Sequence, residues 1–313
     1  MESDIYSKEL AHYFDMLRVS RKMTLEDLTH EIVSIRQFRR YIRGEYQMPQ
    51  IVFNKLSTRL GFKPEHVLLE FENVKLAETK KMNTLHNLVV NKDFQAANLI
   101  IRDIDENFII EQNNLIMFKF SKLLMDYYLE NISPENFIDE IKILIHYDSL
   151  FEKSILSSTE VILLTSLLPT EPFREKDKVI KLLENFLNKQ KTIVSGHNDR
   201  LILLCLYYVS DYYGTQGKFE DVIKFCKKGI EYCNYLRYTY LLQDFYYFSA
   251  LAYYYLNKFE QYEMMLYRCY CVLNAEDNEA KQKNYYQMIE EDFNIQYEVF
   301  IKEYLENRIK KAQ

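Results

Sequence analysis

The sequence predicts an all-α protein in two parts, a compact five-helix head at the N-terminus and a long array of paired helices behind it. Three observations carry that reading. Apolar residues recur at intervals of three and four, the period of a helix face, rather than two. Only six glycines and five prolines punctuate 313 residues, so turns are few and helices long. A short turn ending in phenylalanine also returns down the chain, at Phe94, Phe137, Phe219 and Phe259. Its steps are single or double multiples of roughly forty residues, the signature of a repeat array. With nearly half its residues hydrophobic, a chain of this length has material for more than one core.

The first helix spans residues 5–19, with Ile5, Leu10, Tyr13, Phe14 and Leu17 apolar, and ends near Ser20. Thr24 with Asp27 reads as a capping box, Asp standing for the usual Glu, and opens a second helix with Leu25, Leu28 and Ile32 on one face. Val33 and Ser34 make a very short turn into the third helix. Ser34 is its N-cap candidate and Gly44 its stop. Ile35, Phe38, Tyr41 and Ile42 gather on one face of it, leaving Arg36, Gln37, Arg39, Arg40 and Arg43 elsewhere. Pro49 suits the first turn of a fourth helix, which stops at Gly61, and Pro64 opens a fifth carrying Val67, Leu68 and Phe71.

A helix anchored by an aromatic stripe and showing guanidinium groups and an amide suits a DNA major groove. Arg can bond guanine O6 and N7 in bidentate fashion, Gln can do the same to adenine, and further arginines can hold phosphates. An isolated basic helix is more simply a solvated surface. The context decides, because five short helices with a tight turn between the second and third are the ground plan of a helix-turn-helix domain. Charge agrees. Residues 1–68 carry 11 basic and 9 acidic side chains, while the whole chain has a net charge of −6, so the basic surplus belongs to the head.

Residues 72–82 are charged and read as a helical linker. The array follows, with a further helix near Asp177–Leu187 and a last helix over 299–311. Of 27 tyrosines, 20 lie between 201 and 313. Adjacent pairs such as Tyr207 and Tyr208 cannot both face a core on a helix of 3.6 residues per turn, so some must line a surface. Most of the others fill the core and the seams between repeats.

Catalysis finds no constellation. The six histidines are scattered, His30-Glu31 lacks the second histidine of a zinc-protease motif, and no Gly-rich phosphate loop occurs. Ser195-Gly196-His197 reads as a turn between helices, with no flanking strand to build a nucleophile elbow. Glu290, Glu291 and Asp292 read as a solvated face. The cysteines, Cys205, Cys226, Cys233, Cys269 and Cys271, form no Cys-x-x-Cys pair and are expected as buried reduced thiols. No enzyme activity, cofactor or metal is expected. With a polar N-terminus and no apolar run of membrane-spanning length, the expectation is a cytoplasmic protein that does not engage a membrane.

Thr24 with Leu28, Ser34, the Arg40 to Gly44 ending, Pro49 and Leu60-Gly61 resemble the lambda-repressor/Cro-type (XRE) helix-turn-helix family over about residues 7–70. Two departures touch the turn: Thr29 stands where that family has a small alanine, and the turn is one residue shorter. Tyr213, Gly217, Phe219 and Val222, then Ala250, Tyr253, Asn257 and Phe259, resemble tetratricopeptide (TPR) repeats of lengthened period. An XRE-type head before a degenerate TPR superhelix resembles the peptide-pheromone-sensing transcription regulators of the Rgg, PlcR, PrgX and NprR group across the whole chain. The resemblance implies a DNA-binding domain (1–71), a linker (72–82), a peptide-sensing repeat domain (83–298) and a capping helix (299–313). It implies a homodimer that binds a double-stranded DNA operator and a short signalling peptide. The DNA-contacting set would be Ser34, Arg36, Gln37, Arg39, Arg40 and Arg43, with Arg43 on phosphate. The TPR register turns Lys122 and Met125, Tyr207 and Asp211, and Asp244 and Tyr247 toward a concave peptide groove. A different reading keeps the repeats as a module that sequesters a protein partner, with a head that does not bind DNA.

Overall fold

The structure, a computed structural model, describes residues 7–188, 192–194, 199–276 and 278–312. It is all-α apart from one short strand pair, and it divides into two compact units, 1–140 and 141–313.

The first unit opens with α1 (Ser7–Ser20), α2 (Leu25–Thr29), α3 (Ile35–Ile42), α4 (Gln50–Arg59) and α5 (Pro64–Val90). Leu10, Phe14, Leu28, Phe38, Phe53, Leu56 and Phe71 are buried in one core. Phe14 meets Phe53 edge-on at 5.5 Å between ring centroids. Each such side chain gains roughly 1.5–3 kcal/mol from leaving water. The predicted start signals are found. Thr24 Oγ1 accepts the Asp27 N–H at 3.0 Å and Asp27 accepts the Thr24 N–H at 3.0 Å, closing the capping box. Ser34 Oγ accepts the Gln37 N–H at 3.1 Å. Gly44 and Gly61 stop α3 and α4 with φ of 71° and 75°, where a Cβ would be strained. Pro64 is the first residue of α5, whereas Pro49 stands just outside α4 as its N-cap.

Two expectations about this region need correction. The second helix ends at Thr29 and never reaches Ile32, so the turn into α3 is residues 30–34 rather than Val33 and Ser34 alone. The causes are local. The buried Thr29 hydroxyl turns back onto the Leu25 carbonyl at 2.8 Å, and Glu31 adopts φ 57°, which no right-handed helix can continue through. Arg59 of α4 ties down this end, donating to the Asp27 and His30 carbonyls at 2.7 and 2.9 Å. The second correction concerns 72–82, which is helical as expected but forms the middle of α5 and is packed. Val74 lies on the head core, and Glu78 accepts the Ile110 N–H at 2.9 Å and the Asn114 amide at 2.7 Å. Ile110 is itself buried in the head core, so that core is completed from beyond the first five helices.

Then come α6 (Phe94–Arg102), α7 (Gln112–Tyr128) and α8 (Pro134–Leu144), the last holding the division between the units. The second unit contains α9 (Tyr147–Leu150), α10 (Ser158–Ser166), α11 (Lys176–Leu187), α12 (Asp199–Thr215), α13 (Phe219–Leu236), α14 (Leu242–Tyr255), α15 (Phe259–Ala275), α16 (Glu279–Phe293) and α17 (Tyr297–Ala312). Helices α12 to α15 pack each on the next. The expected turns have one geometry. Lys92, Gly217 and Asn257, each two residues before a helix-opening phenylalanine, adopt φ of 60°, 69° and 56°. The next N–H reaches back five residues each time, from Asp93 to Leu88, Lys218 to Tyr213 and Lys258 to Tyr253, at 2.8–2.9 Å. Phe137 differs, since Pro134 has already opened α8 and Phe137 lies within it.

Strands β1 (Ile155–Ser157) and β2 (Thr192–Val194) pair in parallel, Ile155 opposite Thr192. This corrects the expectation that no strand flanks Ser195-Gly196-His197, a triplet that itself lies outside the described residues. The run Thr192-Ile193-Val194 is wholly β-branched, which suits a strand. The cysteine expectation also needs one change. Cys205, Cys226, Cys233 and Cys269 are buried, but Cys271 is exposed, because two residues beyond Cys269 on α15 is the opposite face.

Candidate functional site

In the head, α3 presents two opposed faces. Phe38 and Tyr41 are buried and Ile35 and Ile42 half-buried, while Arg36, Arg39, Arg40 and Arg43 fall within an arc of about 100° on the other side. The arginines are not equivalent. Glu45, just past the stop glycine, accepts from Arg43 Nε at 2.5 Å and Arg40 Nε at 3.2 Å. The Arg40 guanidinium also lies 3.8 Å over the Tyr46 ring. Arg43 first, and then Arg40, hold the Glu45 carboxyl below its ordinary range. Among the described residues the Arg36 and Arg39 side chains make no hydrogen bond or ion pair, so their donors face solvent complete. Gln37 is half-buried beside them, and the Ser34 hydroxyl is occupied as the N-cap. Such a surface can hold anions, and its planar forks can read base edges or phosphates.

The residues assigned to a groove lie in both units. On α7, Lys122 is half-buried with its ammonium 5.4 Å from the Phe118 ring, and Met125 is buried. In the second unit the Tyr207 hydroxyl lies within electrostatic reach of both Asp244 and Asp211. Tyr207 is half-buried and Asp211 exposed, whereas Asp244 is 7% exposed. Asp244 Oδ2 accepts from Gln243 Nε2 at 2.6 Å and Oδ1 accepts from the Tyr285 hydroxyl of α16. Burial pushes the Asp244 carboxyl up to about 6, while the Tyr285 hydrogen bond and Lys281 act the other way. Burial and then the Asp244 charge raise both the Tyr207 and the Tyr285 hydroxyl. The protein surrounding it also raises the Asp211 carboxyl, although the residue itself is exposed, with Lys176 opposing. Tyr247 is apart from this cluster in its bonding. Its ring is buried beside Phe248 at 5.8 Å and its hydroxyl donates to Asp292.

Sequence reasoning missed Glu45, Tyr46, Gln243 and Tyr285. Glu45 follows Arg43 by two residues and could have been found as a nearby counter-charge. Tyr285 could not, since it is 41 residues from Asp244 and only helix packing joins them. The acidic run on α16 is exposed as expected but not idle: Asp292 takes the Tyr247 hydroxyl and Glu290 takes the Tyr297 N–H at 2.9 Å. Among the described residues no cluster of His, Cys, Asp and Glu could hold a metal, and no helix is long and apolar enough to cross a membrane.

No family profile and no curated protein matches this sequence. Solved structures do, over nearly the whole chain. The competence regulator ComR from Streptococcus vestibularis, in complex with its cognate signalling peptide XIP, is 12% identical with a TM-score of 0.55, covering 91% of this chain and 99% of that one. PlcR from Bacillus thuringiensis in its apo form is 14% identical with a TM-score of 0.54, covering 88% and 97%. ComR from S. thermophilus, in complex with DNA and its signalling peptide ComS, is 11% identical with a TM-score of 0.52, covering 88% and 96%. The chain therefore has the all-α fold of these regulators, and the resemblance to the PlcR group read from its motifs holds at the level of fold.

Proposed function

We propose that this protein is a cytoplasmic transcription regulator, working as a homodimer, whose head (1–71) binds operator DNA and whose array (83–298) takes a short signalling peptide. The array is read as lengthened TPR hairpins capped by the last helix. The observation that carries the reading is α3, an N-capped helix locked into a core by Phe38 and Tyr41 with Arg36 and Arg39 unengaged on its outer face. Solved relatives of this fold that hold DNA or a signalling peptide support it. Arg36, Gln37 and Arg39 then read base edges, while Glu45 holds Arg40 and Arg43 back from the phosphates they would otherwise serve. A peptide couples to the head by preferring one arrangement of the array, since a ligand shifts an equilibrium only by its differential affinity for two states.

The test is operator selection from random duplexes with the full chain, followed by gel shift of an Arg36→Ala, Arg39→Ala variant. Loss of a base-reading arginine should cost about 1–3 kcal/mol and relax the preference at one base pair. Selection of no duplex would refute the DNA-binding reading and favour sequestration of a protein partner, and unchanged affinity in the variant would refute the assignment of Arg36 and Arg39 to the groove.

A further inference from the structure

The cluster around Asp244 holds more acceptor capacity than donors. Asp244 receives one hydrogen bond on each oxygen, from Gln243 and Tyr285, where an ionised carboxylate can accept about four. Gln243 is 3% exposed and its Oε1, on the same amide that donates to Asp244, is buried with no partner at all. Buried polar atoms of this kind are normally paired, and a carboxylate withdrawn from water is costly unless a cation meets it. Charges of both signs lie nearby, but none is paired to the carboxylate. Glu276 at the end of α15 adds to the negative charge at Asp244 and Lys281 opposes it, yet Lys281 is paired to Glu276 at 2.7 Å, Arg200 lies 6.0 Å from the Tyr240 ring, and among the described residues Asp244 has no ion pair. Half-buried Tyr207 and exposed Asp211 mark the side open to solvent.

What the cluster lacks is therefore a group that brings several N–H donors and a positive charge, with an aromatic face beside it to stack on. We propose that Gln243, Asp244 and Tyr285 form the subsite that anchors a cationic group of the ligand, an ammonium or guanidinium, against the Tyr207 ring. The inference rests on the peptide-sensing reading and adds to it which end or side chain the array recognises. An N-terminal ammonium and a lysine or arginine side chain share this chemistry, and experiment separates them.

The full-length protein is incubated with pools of short synthetic peptides that differ in two respects, a free or acetylated N-terminus and the presence or absence of Arg and Lys. Retained peptides are counted by mass spectrometry. The pool with neither cation should be retained about tenfold less than the others, the scale of a charge-assisted contact. Dependence on the free terminus alone identifies the terminal ammonium, and dependence on Arg and Lys alone identifies a side chain. Asp244→Asn should abolish the discrimination. Gln243→Leu keeps the carboxylate, should reduce the discrimination by a smaller factor, and decides the matter if Asp244→Asn fails to fold. Pools retained without regard to charge, or discrimination unchanged in the folded variants, would overturn this subsite and leave the regulator reading standing. Retention of no pool would remove peptide sensing and the subsite together.

Discussion

Gly229 of α13 sits against Phe245 of α14, one residue from Asp244, and the substitution Gly229→Ala sets two effects of opposite sign against each other. Alanine in a helix interior is favoured over glycine by about 1 kcal/mol. A Cβ at this position, however, would lie 2.6–2.7 Å from three carbons of the Phe245 ring. Ordinary carbon contacts are about 3.5–4.0 Å, so the ring must retreat by roughly 1 Å. Phe245 is fully buried, and α14 is held by α13 on one side and α15 on the other. Overpacking of this kind costs typically 1–3 kcal/mol, and a ring with no free direction belongs in the upper half of that range. The net expectation is a loss of about 1–2 kcal/mol. Urea denaturation followed by far-ultraviolet circular dichroism measures it, and hydrogen exchange should place the loss in α13 and α14. Gly214→Ala is the control. Its Cβ would meet only Val222 Cγ2, at 3.9 Å, so stability should hold or rise by up to about 1 kcal/mol. Equal or greater stability in Gly229→Ala would refute the close approach of these helices.

Two more outcomes test the electrostatics. Asp244 rises from 3.8 in the unfolded chain to about 6 when folded, so the folded state binds its proton more tightly. Stability should therefore fall as pH rises from about 4 to about 6, by about 3 kcal/mol at 1.36 kcal/mol per unit, and level off above. Urea midpoints across pH 4–8 should show this slope in the wild type and not in Asp244→Asn, and a slope shared by both would assign it elsewhere. In the head, Glu45→Gln releases Arg40 and Arg43 from their shared carboxylate. If both then reach phosphates, the log–log salt dependence of non-specific DNA binding should steepen by up to about 2, at 0.9 per contact. An unchanged slope would show that Glu45 does not compete with DNA.

Features that depend on neighbours along the chain were legible in the order of residues. The Thr24 and Ser34 caps, the stops at Gly44 and Gly61, the opening at Pro64 and the turns before Phe94, Phe219 and Phe259 are all bonds within a few residues, where residue type dictates backbone geometry. The opposed faces of α3 were legible for the same reason, because a helical period translates spacing directly into direction. Where the second helix stops was less legible, since the left-handed Glu31 has nothing in its chemistry to announce it, and Arg59, which secures that end, lies 29 residues from His30. Tertiary structure alone decided which groups meet across helices. Ile110 entered the head core, Glu78 turned an expected linker into a packed shaft, and β1 found β2 across 37 residues. It also divided the tyrosines: the repeat register turned Tyr207 and Tyr247 toward one groove, but packing left the first within reach of the Asp244 charge and gave the hydroxyl of the second to Asp292. Long-range pairs of this kind leave no period in a sequence, because the distance between partners is set by how helices stack and not by the rise of any one of them.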